Sequence, residues 1–467
     1  ERLSRLRPEW MQIRHNGVAA TTLSETEEML PDEPGTWHYM DFNNPDYYDH
    51  IRRELLEIVE RYPVDGWWLD ILHYHPEAGF SDFNVQFRRR HGILEYTTAN
   101  QRRFEAMAKE RFAAAIQRDI ITHSPGASVF FNANHPAYVE TEANPKRMLA
   151  HATQWEIESL ATGLWGYHHF PRMARLAVHW DKPWFCMTGR FYRMWGDFGG
   201  VKPQAALEYE LFRSQALGGG VSIGDQLHPS GRLGNMEYNL IRSALRKFDQ
   251  AEPLYAEATP LLSVGILYAG SLHHTAKTLK RASLTEEGAL LLMDELRYQV
   301  AMVDDDTPLD GFDLLVIPEQ SRLSPELVSK IEAYYRKGGK LLITGNGGFD
   351  PEEKWGLPFL PLRVVGEEWD YPSYAVPEEK MGSLEPETPI VMYLRGQEAE
   401  ITDPSSTVLA RRVAPYFRRT DAHYSSHYQA PPSPIAGDTP AVARGEGWAY
   451  ISYPIFQTYR EYGYWAH

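Results

Sequence analysis

The sequence predicts an α/β protein, and three observations carry that reading. Over residues 1–250, short apolar runs alternate with longer amphipathic stretches. Alternation of this kind implies parallel strands joined by helical crossovers. The apolar runs close on polar residues or clusters, as in GWWLD and QWEIES, which is how a parallel barrel builds its working face. The pattern changes near Pro260, and 467 residues exceed one ordinary domain. The expected architecture is a (β/α)8 TIM-like barrel over 1–255 lacking its N-terminal strands, then a doubly wound α/β domain over 256–385. A β-rich C-terminal segment follows over 386–467.

The elements follow in order. HYMDF (38–42) reads as a strand, and Asn44-Pro45 as a turn opening a helix over 46–61 through Ile51, Leu55, Leu56 and Val59. GWWLDIL is the next strand, and 98–123 a long charged helix. SVFFNAN (128–134) and QWEIES (154–159) are strands, and 171–181 is helical. PWFCMTG (183–189) is a strand, 203–217 a helix, GGVSIGD (219–225) a strand and 236–250 a closing helix. Six strands are read this way; WMQIR (10–14) is either a seventh or a loop, and the missing strands are expected upstream of Glu1.

The second unit opens with the buried strand LLSVGILYA (261–269) and a helix over 284–298. YQVAMVD (298–304) and FDLLVIP (312–318) are strands, and SPELVSKIEAYYRKGG is a helix with a Ser324 start and a glycine stop. KLLITG (340–345) completes a doubly wound pattern. Its ITGNGG run lacks a GxGxxG or GxxxxGK[ST] continuation, so it reads as a turn. Beyond residue 350, TPIVMYL (388–394) and WAYISYPIF (448–456) read as strands in a Pro-rich segment.

Composition narrows the function. The formal charge of −16 argues against a nucleic-acid or anionic-membrane partner. One cysteine, Cys186, allows no internal disulfide and is compatible with the cytoplasm. No apolar run reaches membrane-spanning length. The 13 Trp and 27 Tyr fall mostly outside 262–350; flat rings stack on the apolar faces of pyranoses, so a carbohydrate ligand competes with simple core packing.

The candidate chemistry lies at the strand ends. Asp70 and Trp68 share one face of GWWLD, while Trp67 and Leu69 share the other. Glu156 and Glu158 stand at i and i+2, both on one face. Paired inward carboxylates have raised pKa values, as a general acid needs. Glu158, nearer the end, is the preferred acid/base and Glu156 its competitor; a structural ion pair of either with Arg190 or Lys182 is the plainer alternative. Asp41, Asn43, Asn132, Asn134, His135, Arg190, Tyr192, Asp225, Gln226 and His228 end or follow other strands, and such groups match sugar hydroxyls. WGYHHF supplies Trp165, Tyr167, His168 and His169. HYH, with His73, and the HH pair lack the spacing of a zinc helix motif, and no GxSxG is present. Neither a metal nor an organic cofactor is expected.

GWWLD, TQWEIESLATGLWGYHHFP, MTGRFYRMWGDFGG and GGGVSIGDQLHPSGRL together resemble the glycosyl hydrolase barrels related to α-L-fucosidases, glycoside hydrolase family 151 above all. The resemblance spans residues 8–350. It implies a following flavodoxin-like domain similar to the trimerisation domain of family 42 β-galactosidases, and hence a homo-oligomer, dimer or trimer. It implies a carbohydrate substrate, Asp70 as nucleophile and an acid/base among the carboxylates after strand six, where Glu158 fits best. Trp68, His73, Asn132, Asn134, Trp165, Tyr167, His168, Arg190 and Asp225 are the expected substrate-binding residues. Family 42 enzymes carry a Glu after Asn on the fourth strand and a second Glu on the seventh. This chain has WLD and CMTGR there, which disfavours a β-galactosidase. The alternatives are another sugar specificity, galactosidase or arabinosidase, and a non-catalytic carbohydrate-binding barrel.

Overall fold

The computed structural model describes all residues except 1, 23–36, 73, 133–147, 164, 269–275, 368, 369, 428, 436 and 465–467. Its first half is built on five parallel strands. Gly66–Leu69 pairs with Ser128–Phe131, in register from Gly66 opposite Ser128 to Leu69 opposite Phe131. Trp155–Glu158 pairs with Trp184–Gly189, and that strand with Gly220–Gly224. The Thr153 amide donates to the Val129 carbonyl (2.8 Å), placing the first pair beside the other three.

Period-two alternation decides which side chains leave the interior. Trp67, Leu69, Val129 and Phe131 pack outward on the helix Thr98–His123 and its neighbours. Trp155, Ile157, Trp184 and Cys186 pack outward around the helix His169–Ala177. Val221 and Ile223 meet the helices Gln204–Ala216 and Asn235–Tyr255. Two helices of this half begin at capping side chains. Asn44 accepts from the Asp46 and Tyr47 amides ahead of Pro45–Arg61, and Ser81 from the Asn84 amide ahead of Asp82–Arg90. This last helix is a finding of the structure.

One N-terminal expectation changes. HYMDF is not a parallel strand: Trp37–His38 forms an antiparallel ladder with Thr21–Thr22, and Met40 bridges Met11. For WMQIR the structure takes the loop alternative: Trp10 ends the 3-10 turn Pro8–Trp10, and isolated bridges follow. The physical reason is Asp41. Its fully buried carboxylate accepts from Tyr74 (2.5 Å), Asn84 (2.7 Å) and Ser81 (3.0 Å), which pins the segment to neighbouring turns. Asn43 is held there too, by Asn84 and Arg111. Both residues are structural hydrogen bonders.

Among the described residues, the second half is built on a nine-stranded mixed sheet, with a two-stranded antiparallel ladder beside it. Four parallel strands, Val300–Val303, Val264–Leu267, Leu314–Ile317 and Lys340–Thr344, continue into Trp448–Ile451, which pairs parallel to Lys340–Thr344. Pro440–Gly445, Thr407–Val413, Ser373–Pro377 and Ile390–Met392 extend it antiparallel. Of the strands beyond residue 386, Ile390–Met392, Thr407–Val413, Pro440–Gly445 and Trp448–Ile451 therefore lie in the same sheet as the doubly wound core, while Gln397–Ile401 pairs antiparallel with Leu362–Glu367 apart from it. WAYISYPIF divides: after Ile451 the chain turns at Pro454 and Ile455–Tyr462 is helix, proline being readily accommodated at a helix start. The helix expected over 284–298 spans Ala276–Glu295. Ser324 accepts from the Leu327 amide ahead of Pro325–Arg336, and ITGNGG is a turn, both as the sequence indicates.

The two halves share a core cluster through the helix His169–Ala177. Arg172 forms a buried ion pair with Glu286 (3.1 Å), and Arg175 pairs with Asp294 (2.7 Å).

Glu319 is the buried charge with the clearest stability consequence. It lies between the ends of Leu314–Ile317 and Lys340–Thr344 and accepts from the Gln457 amide (2.7 Å), in the first turn of the last helix. The Thr344 hydroxyl donates to its other oxygen. Burial pushes its pKa from 4.5 to about 7, against these hydrogen bonds. The folded state thus keeps a proton that the unfolded chain loses near pH 4.5. The contribution of this group to stability is fully present below that pH and is lost as pH rises towards 7, by about 3 kcal/mol. Glu319→Gln is expected to flatten this part of the curve. Melting temperatures measured from pH 4.5 to 7.5 check it: a wild-type slope no steeper than the variant's would refute the assignment.

Candidate active site

Three inward-facing rows converge at the strand ends. The first carries Trp68 then Asp70, the second Phe130 then Asn132, and the third Glu156 then Glu158. Each row is aromatic or half-buried below and polar at its end. Trp68 lies against Phe130 with ring centroids 5.8 Å apart.

Asn132 joins the upper layer. Its side-chain amide donates to Asp70 Oδ1 (2.9 Å) and to Glu158 Oε2 (3.2 Å). The two carboxylate oxygens therefore lie within about 6 Å of one another, the sum of those two bonds. Its backbone clips the same strand end: the Asn132 amide donates to the Leu69 carbonyl (2.8 Å), and its carbonyl accepts from the Leu72 amide (3.2 Å). Between those two bonds lies Ile71, with φ +56°. A β-branched residue in the left-handed region is strained. The strand breaks direction directly after Asp70, and Asp70 is left exposed at the break.

Glu158, 9% exposed, is held by an indole, accepting from Trp195 Nε1 (2.6 Å). Glu156, lower in the barrel, faces Trp68 and Gln154, and burial raises its pKa. The two cations the sequence offered as ion-pair partners for a glutamate, Arg190 and Lys182, have other partners. Arg190, 3% exposed, pairs with Asp225 (2.8 Å), and Lys182 donates to the carbonyls of Leu149 and Ala152.

The expected substrate-binding residues separate into groups. Trp68 and Asn132 stand with Asp70 and Glu158. Arg190 and Asp225 are spent on each other: a fully extended sequence reading sees two polar strand ends, whereas parallel neighbours bring opposite charges side by side. Tyr167 donates to Glu210 (3.4 Å) and meets the Tyr209 ring, so it faces the helix Gln204–Ala216. His168 sits among Arg460, Glu287 and Arg213, facing the α/β unit, and burial lowers its pKa. Trp165 lies 5.4 Å from the His169 ring. His73, Asn134 and His135 fall outside the described residues. Among the described residues no group of three or more His, Cys, Asp or Glu is placed to hold a metal ion, and no helix is long and apolar enough to cross a membrane.

Trp195 and the strain at Ile71 were not legible in the sequence. Trp195 lies in a hairpin-like loop, 190–202, closed by the Phe191–Val201 bridge and by the Lys202 amide donating to the Arg190 carbonyl (3.0 Å). The loop folds back because Gly224, ending the neighbouring strand, leaves room: a Cβ there would sit 2.1 Å from the indole. Nothing in RMWGDFGG announces that contact.

An α/β fold with carboxylates gathered at parallel strand ends is the architecture of the glycoside hydrolase barrel enzymes, and the comparisons agree. The chain is similar to the α-L-fucosidase isoenzyme 2 from Paenibacillus thiaminolyticus, at 29% identity and TM-score 0.87, over 99% of this chain and 68% of that one. The β-galactosidase from Bacillus circulans sp. alkalophilus matches in fold at TM-score 0.70 and 10% identity, over 98% of this chain and 75% of that one. A family 42 β-galactosidase from G. stearothermophilus does so at 0.71 and 13%, over 97% and 74%. No family model and no curated protein matches the chain.

Proposed function

We propose that the chain is a retaining, exo-acting glycoside hydrolase of α-L-fucosidase-like specificity. The observation that carries this is the Asn132 amide, shared between Asp70 and Glu158. Retaining glycosidases hold their carboxyls about 5–5.5 Å apart, and inverting ones about 6.5–9.5 Å. The span across Asn132 favours the first. The fucosidase specificity rests on the likeness to the Paenibacillus enzyme.

In this reading Asp70 attacks the anomeric carbon as the leaving oxygen departs, giving a glycosyl-enzyme ester. Glu158 supplies the proton to that oxygen. Once it has done so, the Trp195 and Asn132 donors stabilise the carboxylate that remains. The same carboxylate then takes a proton from water as water attacks the anomeric carbon and releases Asp70. Glu156, beside Trp68 and Gln154, shapes the floor beneath the sugar. The finer architecture belongs to the same proposal: a TIM-like barrel, a flavodoxin-like unit serving assembly into a dimer or trimer, and a β-rich end.

The test is the stereochemistry of the first product. Hydrolysis of an aryl α-L-fucoside, followed by proton NMR from the first minute, is expected to release α-L-fucose before mutarotation. A β-product would overturn retention. Turnover of aryl galactosides or arabinosides but not fucosides would transfer the specificity.

A further inference from the structure

The loop 190–202 stands on the Glu158 side of the site, where the leaving group must lie if Asp70 attacks from the opposite face. Its conformation is fixed at several points. Arg190 donates through its backbone to Gly224 (3.0 Å) and through its guanidinium to Asp225. The Tyr192 amide donates to the Gly200 carbonyl (3.2 Å), and the Arg193 amide to Asp197 Oδ2 (3.3 Å). Trp195 lies against Gly224 and Phe191, yet 36% of it is exposed beside the carboxylate it holds. Three residues on, Phe198 is 48% exposed and meets the His228 ring at 6.0 Å, edge to face. Gln226 rests against Gly196, with its side-chain carbonyl 2.6 Å from where a Cβ there would stand.

Trp195 and Phe198 thus present two partly exposed rings from one hydrogen-bonded loop, flat apolar surface that a ligand can contact. Trp195 touches Glu158, Phe198 follows it on the same loop, and the two are accompanied by the amide of Gln226 and the imidazole of His228. A pyranose has the matching chemistry: an apolar C–H face for the rings and hydroxyls for Gln226 and His228. We infer that the loop 190–202 with Phe198 and His228 is the subsite for the leaving group, and that its occupant is a second pyranose ring of the substrate. The inference rests on the glycoside hydrolase reading above. It makes this an enzyme for fucosylated saccharides rather than for simple alkyl fucosides.

The test compares a fucosyl disaccharide with α-L-fucosyl fluoride, whose leaving group has no ring and needs no proton. Phe198→Ala is expected to lower kcat/KM on the disaccharide at least tenfold more than on the fluoride; equal losses on both overturn the inference. A wild-type measurement guards against a misfolded variant. The enzyme trapped with a 2-deoxy-2-fluoro fucosyl donor should be reactivated faster by added methyl β-D-glucopyranoside than by water alone, saturably, as the sugar hydroxyl takes the fucosyl group from Asp70. Absence of saturable acceleration also overturns it. If the wild type hydrolyses neither substrate, the enzymatic reading itself fails and this inference falls with it.

Discussion

Asp70→Ala is expected to lower kcat on an aryl fucoside by about 10⁴-fold or more, because no covalent intermediate can then form. Azide should restore part of the rate by entering the space the carboxylate leaves. It attacks the anomeric carbon directly, so the product should be the β-fucosyl azide, of inverted configuration. That product is the decisive readout: mere loss of activity would also follow from disturbing the strand end that Asn132 and the strained Ile71 hold together. Near-normal turnover, or an α-azide, would remove Asp70 from the nucleophile's role.

Glu158→Ala has a different signature. Loss of a general acid costs about 10²–10⁴-fold when the leaving group needs its proton. A disaccharide should therefore lose rate by that amount, while a substrate with an acidic phenol loses far less in its first step. Azide should here intercept the glycosyl-enzyme and give the α-fucosyl azide, with configuration retained. The two variants thus predict azides of opposite configuration. Equal losses with good and poor leaving groups would shift the assignment to Glu156, which the structure places one layer lower, beside Trp68 and Gln154.

Much of the fold was readable because it depends on local rules. Alternating apolar positions in GWWLD and QWEIES fixed which side chains face inward, and Asn44 and Ser324 announced their helices. The failures have physical causes. HYMDF has a strand's pattern, but Asp41 is claimed by Tyr74, Ser81 and Asn84, residues remote in sequence. WAYISYPIF reads as one apolar strand, yet its end is a helix packed on the helix Ala276–Glu295. Arg190 and Asp225 are polar strand ends like Asp70 and Asn132; only their adjacency in space turned them into a buried pair.

By itself, then, the sequence determined the α/β class, the inward rows and the short list of carboxylates, since these follow from composition and the two-residue period of a strand. The tertiary structure decided what period and composition do not encode. It set Asn132 between Asp70 and Glu158, brought Trp195 back over Gly224, and turned Tyr167 and His168 away. Each of these is a contact between residues far apart in the chain, and only the packing of whole elements determines which such pairs meet.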